Sequence, residues 1–302
     1  MSLREYSSSR RGFVLVSVLM LGVVLISCAT AFTWFVRTQA RSTGGERFAL
    51  TSRSMAEILA MSVAGLLGEL ANLTAYDSPV QKWYQPFAFT ADELGVWVVQ
   101  VTPLDDKIPL RHLFLPDGST LRRENSAVWE DLWEKLGHRE LAPIVLDFLD
   151  RNTRPLVGGT ERDGFLNRPP YDMSELLILS TDITPSILAG LDEYCTIYSD
   201  GRINLNTAPV KVMELLPGLD TGGMAERVAQ SRVEKPLESL TDVQSLPGAG
   251  PKASSQLTNI VTFSSRYFLL KIDSIDADGA GGISYRIILD RTTKQIVRWE
   301  ET

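Results

Sequence analysis

From Phe13 to Val36 the chain carries 24 consecutive residues without a charge or a proline. As a helix rising 1.5 Å per residue, such a run is about 36 Å long. A bilayer's hydrocarbon core is about 30 Å thick, so the run predicts a membrane span with some tilt. Every backbone hydrogen bond is then made inside the helix, as a membrane requires. Beyond it, Phe48, Leu50, Met55, Ile58, Leu59, Leu66, Leu67 and Leu70 recur at i, i+3 and i+4. That period predicts an amphipathic helix over 37–73 that continues the span. The two together would reach about 60 residues and about 90 Å. Gly44-Gly45 is the expected weak point, because each glycine costs about 1 kcal/mol inside a helix.

The period changes further on. Residues 74–92, with Pro79 and Pro86, read as loop, and 95–102 as a β-branched and aromatic strand. Two helices are predicted at 126–136 and 141–149, with Ser126 as N-cap and Gly137 as stop. A short helix around Met173–Leu179, another after Thr184-Pro185 and an extended stretch at 194–198 follow. Helices are predicted over 212–216, 224–232 and up to Ile260. From Tyr267 the alternation returns to period two, giving strands at 267–275, 283–290 and 295–299, with turns at 278–282 and 291–294. The simplest arrangement is an antiparallel meander that joins strand 95–102 in one sheet packed on helix 37–73. Residues 105–265 then form a helical insertion.

Composition narrows the function classes. A net charge of −7 gives no general attraction to nucleic acid or anionic lipid. Two cysteines, Cys28 in the span and Cys195 far downstream, make no disulfide framework. Two histidines, His112 and His138, exclude a histidine metal cluster. Carboxylate pairs such as Asp105-Asp106 are common on solvated faces. With no histidine partner, nucleophile elbow or Walker loop, no catalytic constellation exists to argue from.

The N-terminus carries the most specific local signal. Arg4, Arg10 and Arg11 precede Gly12, and the apolar run begins at once with Phe13. The run is too long for a secretory signal peptide, and Ala29-Thr30-Ala31 matches a cleavage site only weakly. Arginines flank both sides of the span, so charge does not orient it. The Arg-Gly-Phe junction resembles a type IV pilin leader. That resemblance implies removal of residues 1–12 by a prepilin peptidase, cutting between Gly12 and Phe13, and N-methylation of Phe13. Pilins of this kind carry Glu as the fifth residue after the cut, and here Ser17 stands there. A carboxylate in hydrocarbon costs a few kcal/mol unless paired, and in the family it pairs with a neighbouring subunit's first amine. A subunit without it needs no neighbour above it. That absence is typical of the K-type minor pseudopilin of type II secretion.

Two inner segments carry chemistry. Asp150, Asn152 and Glu161 have the 1, 3, 12 spacing of a calcium loop, but Arg154 and Pro155 stand at positions 5 and 6, so an EF-hand fails. A loop with Asx-turns accounts for the residues themselves. The pattern nevertheless resembles the K-type pseudopilins, whose helical domain holds calcium; that resemblance implies Asp150, Asn152, Glu161 and Asp163 as ligands. Further on, Leu-Pro-Gly recurs at 216–218 and 246–248, and the turns at Pro217, Gly218, Pro247, Gly248 and Gly250 resemble tandem helix-hairpin-helix motifs. Their functional reading is DNA binding, with Lys252 adding charge at a helix N-terminus. Against it, 201–265 holds six Lys or Arg and six Asp or Glu, and DNA affinity needs a basic face. A compact helical module is favoured. The run Ile203-Asn-Leu-Asn-Thr-Ala-Pro209 followed by Leu-Leu-Pro-Gly is very similar to the helical domain of K-type pseudopilins.

The resemblance covers nearly the whole chain. It implies an α+β fold: a long N-terminal transmembrane helix packed on a small antiparallel sheet, with a large all-α insertion of helix-hairpin-helix or SAM-like type. Its parts are leader 1–12, span 13–36, periplasmic helix and first strands 37–104, insertion 105–265 and closing strands 266–302. The implied role is structural, at the tip of a type II secretion pseudopilus. Its implied partners are I-type and J-type minor pseudopilins, and its implied location is the inner membrane, single-pass, with the C-terminal part in the periplasm. A membrane-anchored DNA-uptake protein is the main alternative, and an unidentified membrane-anchored hydrolase a weaker one.

Overall fold

A computed structural model describes residues 6–91, 95–250, 255–275 and 282–302, and within the first helix the side chains at 20, 23, 25–36 and from 45 onward. The chain opens with α1 (Tyr6–Leu73), 68 residues long and so about 100 Å. It runs through Gly44-Gly45 without a break. A glycine lowers helix stability, but a helix with about ten turns before the pair and about eight after it tolerates the loss. Gly12, Phe13 and Ser17 lie on this helix; their side-chain surroundings are outside the described residues.

Residues 74–92 are not all loop. A 3-10 turn (Lys82–Tyr84) leads into β1 (Phe87–Ala91), and β2 follows (Gly95–Pro103). The strand was hidden because Phe-Ala-Phe-Thr-Ala is short and lies behind a proline. The chain then enters the inserted block: β3 (Ile108–Pro109), α2 (Arg123–Lys135), α3 (Leu141–Leu149), a 3-10 helix (Met173–Leu179), α4 (Pro185–Asp192), β4 (Cys195–Thr196), β5 (Ile203–Asn204), α5 (Val210–Met213), α6 (Met224–Glu234), α7 (Leu240–Gln244) and β6 (Val261–Thr262). It returns through β7 (Tyr267–Ile275), β8 (Gly282–Asp290) and β9 (Gln295–Glu301). The turn predicted around Asp278 lies outside the described residues.

Ser126 is not the N-cap of α2, which starts a turn earlier after Arg122. Glu124 in that first turn suits the positive end of the helix dipole. The stop at Gly137 holds. With φ +77, Gly137 donates to the Glu134 carbonyl (3.0 Å) and His138 to the Trp133 carbonyl (2.9 Å), a Schellman ending.

The five long strands form one antiparallel sheet in the order β1-β2-β7-β8-β9. Strands β2 and β7 are neighbours, so the whole inserted block is threaded between two paired strands. α1 lies on one face. Ala56, Ala60, Ala64 and Leu67 are buried there against Trp97, Phe268, Tyr285 and Ile287. The small alanines bring the helix close and the large side chains of the sheet fill the layer. The inserted block has its own core, centred on Trp129, Trp133, Phe148, Leu176, Leu205 and Val228. Two parallel ladders of two residues, β3 with β4 and β5 with β6, tie its start and end together.

Candidate functional site

The part of α1 that the sheet leaves uncovered is apolar. Leu50, Ile58, Met61, Leu66 and Leu73 are all more than half exposed. They lie opposite the alanine stripe, interleaved with Ser54, Ser62 and Gly65. The charged residues on this stretch are Glu46 and Arg47 near its start, Arg53, which pairs with Glu57 at 3.5 Å, and Glu69, which meets Lys294. Among the described residues the helix long and apolar enough to cross a membrane is Gly45–Leu73. Because one side of it packs on the sheet, it serves as a core helix. Leu25–Val36, the described end of the predicted span, is a shorter apolar stretch, exposed throughout. Phe32, Trp34, Phe35 and Val36 face outward there. An apolar surface this long is the kind that membrane or partner helices cover.

The second feature is a joint between sheet and insertion, built from four buried polar side chains. Asp105, at the exit from β2, accepts the backbone N–H groups of Asp200 (2.9 Å), Arg266 (2.8 Å) and Tyr267 (2.9 Å). Its residue is completely buried, and burial pushes the carboxyl up to about 6 against those three donors. The solvated pair expected at Asp105-Asp106 is therefore not found: Asp106 is half-buried, and Asp105 is an interior bracket across both chain crossings. Asp77 accepts the Ser265 N–H at 2.6 Å and pairs with Arg291 at 2.9 Å. Asn204 donates to the Asp77 carbonyl (3.2 Å) and to Ser265 Oγ (2.9 Å). Asn206 donates to the Leu237 and Phe263 carbonyls and accepts the Leu237 N–H. The Ile-Asn-Leu-Asn-Thr-Ala-Pro run thus holds the two domains in one orientation. Arg266, at the re-entry, pairs with Asp290 at 2.7 Å.

The third feature is a carboxylate pocket beside α3. Asp147 and Asp150 are completely buried and Glu161 half-buried. Asp150 accepts the backbone and side-chain N–H groups of Asn152, at 3.0 and 2.6 Å. Asn152 Oδ1 caps the Arg154 N–H, the Asx-turn that the residues suggested. Asp147 Oδ1 accepts the Leu156 N–H at 2.9 Å, while its Oδ2 and Glu161 Oε1 are buried without a partner. Burial raises all three pKa values, Asp150 to about 6, and repulsion from Asp147 adds to the rise at Asp150 and Glu161. Asp163 is exposed. Asp147, which sequence reasoning quoted without assigning, replaces it at the centre. Its sequence signal was weak, since it reads as the polar end of an apolar helix. Among the described residues no group of three or more acidic, histidine or cysteine side chains is placed to hold a metal ion. The pocket's donors are hard oxygens, and two of them, Asp147 Oδ2 and Glu161 Oε1, are buried without a hydrogen-bond partner.

The helix-hairpin-helix turns form as turns. Gly218 and Gly248 both take φ +87, after Pro217 and Pro247. Asp220 Oδ1 accepts the Gly218 N–H at 3.0 Å, filling the place a phosphate would take. Arg227 donates to the Gly223 carbonyl (3.2 Å) and to the Pro247 carbonyl, tying the two turns together. Gly250 is half-buried, and a Cβ added there would meet nothing within 4 Å; Lys252 is outside the described residues. This geometry fits packing of a small helical module.

No family model matches the chain, and no curated protein does. Among solved structures, a chain of the GspK-GspI-GspJ complex from the enterotoxigenic Escherichia coli type 2 secretion system is similar. It superimposes with a TM-score of 0.65, covering 87% of this chain and 99% of that one, at 18% identity. The shared architecture is a pilin-like α+β fold: a long apolar N-terminal helix on a small antiparallel sheet, with the helical block inserted.

Proposed function

We propose that this chain is a minor pseudopilin of K type, a structural subunit at the tip of a type II secretion pseudopilus. The observation that carries this reading is the fold likeness to a chain of a minor pseudopilin complex over nearly the full length of both chains. The bare apolar face of α1 supports it, because that face suits the long helices of neighbouring subunits with the same fold. In this account residues 1–12 are removed by prepilin peptidase, and Phe13 becomes the methylated N-terminus. The span 13–36 holds the chain in the inner membrane, and the sheet and insertion stand in the periplasm. I-type and J-type minor pseudopilins pack along α1. Ser17 leaves no charge to pair with a subunit above, and the insertion, held by the Asp105 and Asn204 joint, stands where such a subunit would go. The assembled tip then starts pseudopilus growth.

The account extends to calcium. Asp147, Asp150 and Glu161 would hold the ion, and it would supply the counter-charge their buried oxygens lack. Its role is structural: it fixes the loop from Asp150 to Glu161 on α3. Melting the full chain with calcium and with chelator tests this. A higher melting temperature in calcium, lost in Asp150→Asn, is expected; equal melting temperatures sink it. The functional reading is tested in a strain from which this chain's reading frame is deleted. Secreted enzymes should accumulate in the periplasm and be exported again when the chain is restored. Export that continues without the chain would overturn the reading.

A further inference from the structure

The sheet has two outer edges, β1 and β9, and they are built differently. β9 is blunted. Its ladder with β8 is interrupted by a bulge between Ile288 and Leu289. It carries Arg298, Glu300 and Glu301. Arg298 pairs with Asp172 and with Glu300, and Glu300 also meets Arg286 at 3.8 Å. Bulges and charged side chains are common means of keeping a sheet edge from pairing with another chain.

β1 has neither. Its ladder with β2 runs in unbroken register from Phe87 opposite Val99 to Ala91 opposite Gly95. Residues 83–91 hold no charge. Among the described residues the backbone of β1 bonds only to β2, so alternate N–H and C=O groups along its outer side meet no protein partner. α1 packs mainly over β7, β8 and β9 and does not cover this edge. Phe87, Phe89 and Trp97 stack in series, with ring centroids 6.4 and 6.3 Å apart. The stack carries an aromatic layer from the buried Trp97 out to Phe87, which is 46% exposed.

The chemistry of the edge selects its occupant. The complement of a row of alternating N–H and C=O groups about 17 Å long is another extended backbone. A small metabolite offers no such row, and a nucleic acid needs cations that β1 lacks. An aromatic or β-branched side chain beside Phe87 would extend the stack by one strand, the pairing that stabilises neighbouring strands. We propose that β1 is an open edge that takes a short, uncharged, extended segment of a partner polypeptide as a sixth strand of the sheet. The site is separate from the bare face of α1 and does not depend on the pseudopilin reading.

Fluorescence anisotropy on the full chain in nanodiscs tests it, with empty nanodiscs as background. The probe is fluorescein-labelled Thr-Val-Thr-Phe-Thr-Val-Thr amide. Two further probes keep its side chains but carry backbone N-methyl groups, one on the three apolar residues and one on the threonines between them. Alternate N–H groups of a strand face the same side, so only one methylated probe blocks the row that meets β1. Saturable binding is expected for the plain peptide, retained by one methylated probe and weakened at least tenfold in the other. Phe87→Lys should weaken the plain peptide at least fivefold, while Val297→Lys on the opposite edge should leave it unchanged. If Phe87→Lys melts early, hydrogen exchange on the native chain decides, with the amides of 87–91 expected to slow when the plain peptide is added. No saturable binding, equal affinities for the two methylated probes, or unchanged exchange over 87–91 would overturn the proposal. So would a dimer of the chain itself, seen by light scattering in detergent and dissolved by Phe87→Lys, which would make the occupant a second copy.

Discussion

Asp147 spends one carboxylate oxygen on the Leu156 N–H and the other on nothing, in a residue no water reaches. Asp105 is equally buried but accepts three N–H groups. The two show that a buried carboxylate is either a bracket or an unmet demand, depending on what is aimed at it. Both situations leave a mark on the pH dependence. Asp105 and Asp150 are each pushed up to about 6. The folded state therefore binds their protons before the unfolded state does, so between about pH 4 and 6 their contribution falls as pH rises, and it stays lost above 6. In chelator, stability should climb as pH drops from 7 to 5, by about 1 kcal/mol per carboxylate, against an opposing loss from His112, whose pKa burial lowers. Asp172, held down to about 2 by Ser174 and Arg298, titrates below that window and does not interfere. Asp150→Asn should flatten the climb and raise stability at pH 7; a flat or falling profile in the native chain would contradict this. Asn204→Ala should leave the Asp77 carbonyl and Ser265 unpartnered at the joint. A loss of about 1–3 kcal/mol is expected by denaturant unfolding.

At the scale of elements, strong periodicity was readable and context was not. α3, β7 and the glycine stop of α2 follow from period and cap chemistry alone. β1 did not, because five residues with no buried position carry no alternation to read; only pairing with β2 makes them a strand. Ser126 misled because an N-cap preference of about 1 kcal/mol is easily outweighed by core packing, here Val128, Trp129, Leu132 and Trp133. The joint was legible in part. The two asparagines stood in a quoted motif, but Asn204's partners Asp77 and Ser265 lie 127 and 61 residues away, and no local pattern carries that. α1 gives the clearest prediction at this scale. An added methyl at Gly45 meets nothing within 4 Å. Gly45→Ala should therefore stabilise the helix by about 0.5–1 kcal/mol, seen as a higher helical melting temperature by circular dichroism. An unchanged or lower value would show that the position is constrained by something outside the chain.

Taken whole, the molecule divides its surfaces by task. One side of α1 is consumed by the sheet, and on the other Leu50, Ile58, Met61, Leu66 and Leu73 are left exposed. A lone chain has no use for that second side. Within the pseudopilin account it is where neighbouring helices lie, and the insertion, rigidly bracketed at both crossings, is what stops growth beyond this subunit. Replacing Ile58 and Met61 by aspartate should spare the fold, since both side chains are exposed, while removing the packing surface. The most direct measurement is the mass of the complex formed when the full chain is co-expressed with the I-type and J-type minor pseudopilins of the same organism, taken by size exclusion with light scattering in detergent. The account expects a stable 1:1:1 assembly that the Ile58→Asp, Met61→Asp chain fails to enter. Three separate species from the native chain, or an assembly indifferent to those substitutions, would contradict it.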